Sequence, residues 1–324
     1  MASHISLTHI AETLGVSRAT VSNALSGRGR VSPALAERIR NAAEEMRYVP
    51  SAAARSLRSG RSTLVGMVVP DFTMPLFGVL AQAFERAAKE RGMALLVRDG
   101  RGDPAIHAEM VADLVARGVD GIVVVPVRGD DSALDHVPVP LAVVDAASNP
   151  RNIASCDHRA GARMAIGHLA DLGHRSVEII VSATRSHVSN EREAGMLAAA
   201  EAFGLKTRVR HLQPDFDTAR THARTWRPDG ATAIAAAFDA IGVGLIAGFI
   251  EAGVRVPQDV SVTGFDNTIW GRIIRPDLTT VTQDLDGIAD HVLDVLIGRA
   301  AGQRLFPGTL AARGSTAPPA VRGG

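Results

Sequence analysis

From Thr63 onward, short β-branched runs alternate with longer amphipathic stretches, and this alternation constrains the fold more than any other feature of the chain. Strands read at Leu64 to Val69, Met93 to Val97, Gly121 to Val125, Leu141 to Val144, Val177 to Val181, Ala233 to Ala237 and Ser261 to Phe265. Helices read at Phe77 to Arg91, Ala105 to Arg117, Arg159 to Leu172, Glu191 to Phe203, Ala240 to Ala252 and Leu285 to Arg299. Such alternation specifies parallel sheets with right-handed crossovers. The expected fold class is therefore α/β, and 324 residues leave room for two such lobes and a small separate head.

The head occupies residues 1 to 62 and reads as three short helices. Two of them, Leu7 to Leu14 and Ser17 to Leu25, flank Gly15. Ile10, Ala11, Val16, Val21 and Leu25 meet in one core only if those helices cross steeply at the glycine. Ser17 stands where an N-cap is wanted. Arg18, Ala19, Thr20, Ser22 and Asn23 then fall on the first two turns, off the apolar stripe. Arg, Asn, Ser and Thr are side chains that read base edges in a major groove. A third helix starts at Ser32-Pro33 and buries Leu35, Ile39, Ala42 or Ala43, and Met46. Any short amphipathic hairpin can imitate a helix-turn-helix, so charge carries the decision. The head holds nine Arg against four Glu, net +5, whereas residues 63 to 324 hold 26 basic against 30 acidic, net −4. A basic head on a mildly acidic body is expected when only the head meets phosphate.

Residues 51 to 58, Ser-Ala-Ala-Ala-Arg-Ser-Leu-Arg, favour helix but have too little apolar surface to fold unaided. They read as a conditional hinge helix or, without the preceding head, as a plain linker. Leu57 between Arg55 and Arg58 suits an apolar wedge in a minor groove, with the arginines on phosphates.

Open α/β sheets bind ligands beyond the carboxyl ends of their strands. Aspartate follows four of the strands, at Asp71, Asp145, Asp239 and Asp266. Each alone reads as a turn former or cap, but four at the same topological place point to a shared cleft. Carboxylates accept from adjacent hydroxyls and Arg192 adds a fork of donors, a set suited to a sugar or another polyhydroxy effector. Phe72 and Trp270 are candidate rim groups, with core or surface packing as the simpler explanation.

Competing chemistry is thin. Gly242, Gly244 and Gly248 lie inside a helix, outside the context of a dinucleotide fingerprint. His158, His168 and His174 lack paired metal-ligand spacing and read as ordinary helix and turn histidines. No nucleophile elbow or acid/base pair stands out, so an enzyme, a cofactor and a metal are not expected. A single cysteine, Cys156, fits a reducing compartment. The apolar stretch from Ala231 to Val254 is broken by Asp239 and reads as strand plus helix, not a membrane span. With no signal-peptide pattern at its start, the protein is expected in the cytoplasm. The tail after Thr316 reads as disordered.

The chain resembles the lactose-repressor (LacI-type) family of bacterial transcription regulators. The resemblance rests on "LTHIAETLGVSRATVSNALSGRGRVSPALAERIRNAAEEMRYVPSAAARSLRSGRSTLVGMVVP", then "DLGHRSV", "VPQDVSVTGFDN", "PDLTTVTQD" and "LAARGST", in the family's order. It implies that Arg18, Ala19 and Asn23 take the base-reading positions and that Leu57 is the hinge leucine prying open a central base step. Ala19 departs from the polar residue of many members and can offer only a methyl. It also implies a two-lobed, periplasmic-binding-protein-like body. One lobe would comprise about 63–155 plus 284–308, the other about 156–283 plus 309–317. Asp145, Arg192, Asp239, Asp266, Phe77 and Phe216 would be effector contacts. The expected partners are a pseudo-palindromic operator in double-stranded DNA, a small effector such as a sugar, and a second copy of the chain. Pairing of dimers into tetramers, a nucleobase effector, a protein corepressor and a non-regulatory carbohydrate-binding module all remain open at the level of sequence.

Overall fold

The computed structural model describes residues 5–27, 29–48, 61–127, 134–184, 186–227 and 229–320. The chain divides into two compact units, Met1–Ser62 and Thr63–Gly324.

In the first unit, α1 (Leu7–Leu14), α2 (Arg18–Ser26) and α3 (Pro33–Glu45) each begin behind a serine. Ser6, Ser17 and Ser32 accept from the backbone N–H groups of His9, Thr20 and Leu35, and Pro33 opens α3. Gly15 takes φ +65°, the left-handed conformation that ends α1 and turns the chain toward α2. Ile10, Val21 and Ile39 are fully buried at the centre, with Ala11, Ala24 and Ala43 between them; Val16, Leu25, Leu35 and Met46 pack around the edge. The hinge expected at Ser51–Arg58, with Arg55, Leu57 and Arg58, lies outside the described residues.

The second unit begins with β1 (Leu64–Val69), α4 (Pro75–Glu90), β2 (Ala94–Asp99), α5 (Pro104–Ala116), β3 (Gly121–Val124), β4 (Leu141–Val144) and β5 (Asn152–Cys156). It continues through α6 (His158–Asp171), β6 (Ser176–Ser182), α7 (His187–Ala202), β7 (Lys206–Leu212), α8 (Phe216–Thr225), β8 (Ala233–Ala236) and α9 (Asp239–Glu251). It closes with β9 (Ser261–Phe265), α10 (Ile269–Ile273), β10 (Thr279–Thr282), α11 (Leu285–Leu296), β11 (Arg304–Phe306) and β12 (Thr309–Ala311). Two six-stranded sheets result, ordered β11-β5-β4-β3-β1-β2 and β12-β10-β9-β8-β6-β7. The sheet pairings are parallel except β10 with β12.

Each sheet carries helices on both faces. Val65, Met67 and Phe84 of the first lobe pack with Ile288 and Leu293 of α11, so the last helix does return to that lobe. In the second lobe, α8 and α9 cover one face and α6 and α7 the other. The glycines of α9 serve this packing. A Cβ on Gly244 would lie 2.4 Å from the Phe216 carbonyl oxygen, and one on Gly248 2.2 Å from that of Arg220. Only glycine lets the two backbones approach so closely.

The chain passes between lobes at Asp157, at Gln283–Asp284 and at Pro307–Gly308. These crossings lie side by side: the Asp157 N–H donates to the Phe306 carbonyl at 2.8 Å, and a Cβ on Gly308 would meet the Thr282 carbonyl at 3.0 Å. The expectation of a disordered tail fails through Ala320. The Ala317 carbonyl accepts from His174 and Ser261, its N–H donates to Ser261, and His168 pairs with Thr316 at 2.9 Å. Backbone groups fixed by lobe side chains hold a stretch whose composition alone offers no core.

Candidate functional site

On α2, Ser17, Arg18, Ala19 and Asn23 are exposed, while Thr20 and Ser22 are half-buried. Thr20 Oγ1 lies 2.8 Å from the capping Ser17 Oγ, so this hydroxyl pair belongs partly to the helix start. Arg18 and Asn23 project from a helix whose opposite face, Val21 and Ala24, is anchored in the head core. An anchored helix with a bare polar N-terminal half can enter a major groove without unfolding anything.

Between the two lobes lies a cavity of about 210 Å³. Of the residues proposed for it, Phe77, Asp145 and Arg192 line it. Arg192 is fully buried and sets the geometry. Its Nη2 donates to Asp266 Oδ1 at 2.8 Å, its Nη1 to the Ala237 carbonyl at 2.6 Å, and its Nε to His158 Nδ1 at 3.4 Å. The guanidinium carbon also lies 3.7 Å from the Phe265 ring centre and 4.7 Å from that of Phe238. Such a clamp fixes the plane of the remaining N–H groups.

Asp266 stands directly after β9 with φ +114°, a conformation strained for a residue with a side chain. Gln283, at a lobe crossing, donates to the same Oδ1 at 2.8 Å. Burial pushes the Asp266 carboxyl above the usual range, against the pull of Arg192. Asp239 lies one layer deeper. It accepts from the Thr268 N–H at 2.6 Å, Thr268 Oγ1 at 3.0 Å and Thr280 Oγ1 at 2.6 Å. Burial, then the Asp266 charge, raises its pKa to about 7. Asp239 does not line the cavity; it supports the loop that presents Asp266.

Asp145 accepts from Asn149 Nδ2 at 2.9 Å, and its N–H donates to Asn152 Oδ1 at 3.0 Å. Asp71 accepts from the Thr73 N–H at 2.8 Å in a local turn and does not line the cavity. Phe72 and Trp270 are surface groups that do not line it. Phe216 opens α8 and packs against the second-lobe core.

Sequence reasoning missed three contributors. His158, set aside as an ordinary histidine, opens α6 in the cavity wall. Burial and then the Arg192 charge hold it well below its usual pKa, and it bonds to the Asp145 backbone. A neutral ring accepting at Nδ1 and donating to that carbonyl therefore links Arg192 of one lobe to Asp145 of the other. Gln283 and Cys156, the latter pushed up to about 12 by burial, also line the cavity. Their signal was position: each stands where a strand meets a lobe crossing. Among the described residues, no cluster of three or more His, Cys, Asp or Glu could hold a metal. No helix among them is long and apolar enough to cross a membrane.

A three-helix helix-turn-helix unit followed by two parallel-sheet lobes with a cavity between them is the architecture of a DNA-binding transcription regulator. Residues 6–51 match the bacterial regulatory proteins of the lacI family, and residues 166–316 match the periplasmic binding protein-like domain. An uncharacterised helix-turn-helix transcriptional regulator from the aml 5′ region of Streptomyces limosus is 30% identical over 334 residues, spanning 96% of this chain and 94% of that one. The Lac repressor dimer bound to operator and the anti-inducer ONPF superposes with a TM-score of 0.86 at 25% identity, covering 97% of this chain and all of the other. The transcriptional regulator CelR in complex with cellobiose gives 0.71 at 25% identity, covering 96% of this chain and 99% of its own. The chain belongs to the LacI family of bacterial transcriptional regulators.

Proposed function

We propose that the protein is a cytoplasmic, non-enzymatic repressor of carbohydrate-utilisation genes that acts as a homodimer on a pseudo-palindromic operator. A small polyhydroxy effector in the interlobe cavity controls its operator affinity. The observation that carries the effector reading is the buried Arg192, clamped by two aromatic rings, bonded to Asp266 and facing a cavity. A buried ion pair contributes little net stability by itself, so its place beside a cavity favours a binding role. Two-fold symmetry follows from one reading helix per half-site. On α2, Arg18, Ala19 and Asn23 reach base edges while Ser17, Thr20 and Ser22 position the helix; Arg55, Leu57 and Arg58 engage the minor groove and its phosphates. Ligand-dependent lobe closure shifts the population of hinge segments able to form helix on DNA.

The test begins by enriching operators from random duplexes with the full-length protein at moderate salt. A sugar panel is then screened for release or recruitment on the enriched duplex. Recovery of an inverted repeat, with a sugar response that Asp266→Asn removes while operator binding persists, supports the assignment. An asymmetric site, or a sugar response unchanged in a folded Asp266→Asn variant, overturns it. Steep salt dependence of operator binding separates it from a carbohydrate-binding module with an unused head, since such a head neutralises few phosphates.

A further inference from the structure

The string LAARGST, Leu310 to Thr316, contributes no residue to the cavity wall. It follows the crossing at Pro307–Gly308 and stitches the start of β9 to the start of β10. Ser315 Oγ donates to the Val262 carbonyl at 2.6 Å and accepts from the Thr279 N–H at 2.8 Å. The backbone of Arg313 is fixed at both of its polar groups: its N–H donates to Thr279 Oγ1 at 2.9 Å, and its carbonyl accepts from the same hydroxyl at 3.2 Å. From that base the half-buried guanidinium reaches two neutral oxygens, Nη1 donating to the Leu278 carbonyl at 2.8 Å and Nη2 to Asn267 Oδ1 at 2.5 Å.

Asn267 is the second residue of the turn that presents Asp266. The two take φ +114° and +51° in succession. Backbone of this kind persists only where its surroundings over-determine it. Main-chain bonds to β10 supply part of the hold: the Asp266 N–H donates to the Val281 carbonyl at 2.8 Å, and the Asn267 N–H to Thr280 Oγ1 at 3.3 Å. The Arg313 bond adds an anchor on another segment, beyond β12, which has just returned from the first lobe.

We propose that Arg313 is a positioning residue of the effector site: through Asn267 it holds the turn in the conformation that aims the Asp266 carboxylate at Arg192 and Gln283. The proposal rests on the reading of this cleft as an effector site and adds a residue outside its wall. Asp266 is thereby tied to two of the segments that cross between lobes, to Gln283 directly and to Arg313 by way of Asn267. A turn cut loose from Arg313 spends less of its time aimed, and effector affinity falls with that fraction.

The experiment uses the full-length protein, with D-glucose, D-galactose, D-mannose, D-ribose, L-arabinose and cellobiose as probes. The sugar that binds the wild type most tightly by calorimetry is titrated into Asn267→Gly, Arg313→Met and the double variant, and the three variants are crystallised without sugar. Glycine takes φ +51° freely, which offsets the lost bond, so the urea midpoint of Asn267→Gly is expected to stay near that of the wild type. Its sugar affinity is nevertheless expected to fall at least about tenfold, with the Asp266 carboxylate displaced from Arg192. Arg313→Met is expected to lose a similar factor, and the double variant no more than about twofold beyond the weaker single, because both changes cut one tether. Asn267→Asp tolerates the same backbone and keeps an oxygen for Arg313, and is expected to remain within about threefold of the wild type.

Wild-type affinity in a folded Asn267→Gly, single losses that multiply in the double variant, or an Asp266–Arg192 bond retained in all three variants overturns the role of Arg313 and leaves the effector reading intact. A wild type that binds none of the six sugars overturns the sugar reading instead. The crystal structures then decide the role of Arg313 alone, a displaced Asp266 supporting it and a retained Asp266–Arg192 bond overturning it.

Discussion

The recognition helix and the cleft solve opposite problems with the same kinds of side chain. On α2, Arg18 and Asn23 are exposed, and the fold of the head rests on Ile10, Val21 and Ile39 beneath them. In the cleft, Arg192, Asp266 and His158 are buried and bonded to one another, so the groups at the cavity also hold the wall of the second lobe together. Function and stability are separable at the first site and coupled at the second. Surface substitutions away from special features change stability little, whereas removing one partner of a buried pair strands the other.

Arg192→Ala is expected to have the largest effect. It leaves Asp266 buried without its cation and should destabilise the second unit by about 3–5 kcal/mol, read by chemical denaturation. Arg18→Ala should leave that transition within about 0.5 kcal/mol of wild type while weakening operator binding by about 1–3 kcal/mol. Equal denaturation midpoints for Arg192→Ala and the wild type would remove the coupling on which the contrast depends.

A second test uses pH. Burial raises Asp239 from an ordinary 3.8 to about 7, so the folded protein holds that proton more tightly than the unfolded chain. The resulting stability is fully present below the unfolded value and is lost as pH rises through about 7. The stability of the wild type relative to Asp239→Asn should therefore fall between pH 4 and 7, by at most about 1.4 kcal/mol per pH unit, and level off above. Asp266 shifts in the same direction but is present in both proteins. Urea denaturation across this range checks the slope, and a constant difference would mean that Asp239 is not desolvated as the structure has it.

The contrast also explains how much was legible in the sequence. The head was nearly complete there because its signals are local: Ser17, Gly15 and the Val21 stripe lie within one turn or two of each other. The seven strands that were read all exist, since apolar β-branched runs announce buried parallel strands. Missed were β5, β7, β10, β11 and β12 and the helices α8 and α10. Of these, β7 (Lys206–Leu212) is a polar edge strand, and the buried residues Ala219 and Ala223 of α8 give too weak a stripe because glycines of α9 face them. In the cleft, the rule that ligands bind beyond strand ends located all four aspartates but could not sort them. Asp71 is engaged in a local turn, Asp239 is behind the loop, Asp145 lines the cavity and Asp266 bonds to the cavity-lining Arg192. That division depends on partners such as Gln283 and His158, brought together only where the chain crosses between lobes.

Leu57→Ala extends the separable side of the comparison to the hinge. Operator affinity should fall by more than about 1 kcal/mol with effector affinity unchanged, as measured by fluorescence anisotropy and by calorimetry. Unchanged operator affinity would exclude Leu57 as a wedge.

The smallest effect tests the boundary of the contrast itself. Ser17 is exposed and stands among the proposed DNA contacts, yet its hydroxyl accepts from the Thr20 N–H at 3.0 Å and caps α2. Ser17→Ala should therefore cost the head about 1 kcal/mol of stability, whereas Ser17→Asp, which keeps an acceptor at the cap, should cost less. Near duplex DNA the ranking reverses, because the added carboxylate meets phosphate and weakens operator binding more than alanine does. Melting the two variants with and without operator reads both orders. If alanine and aspartate rank the same way in both assays, Ser17 has one role, and exposure alone would suffice to tell a reading residue from a folding one.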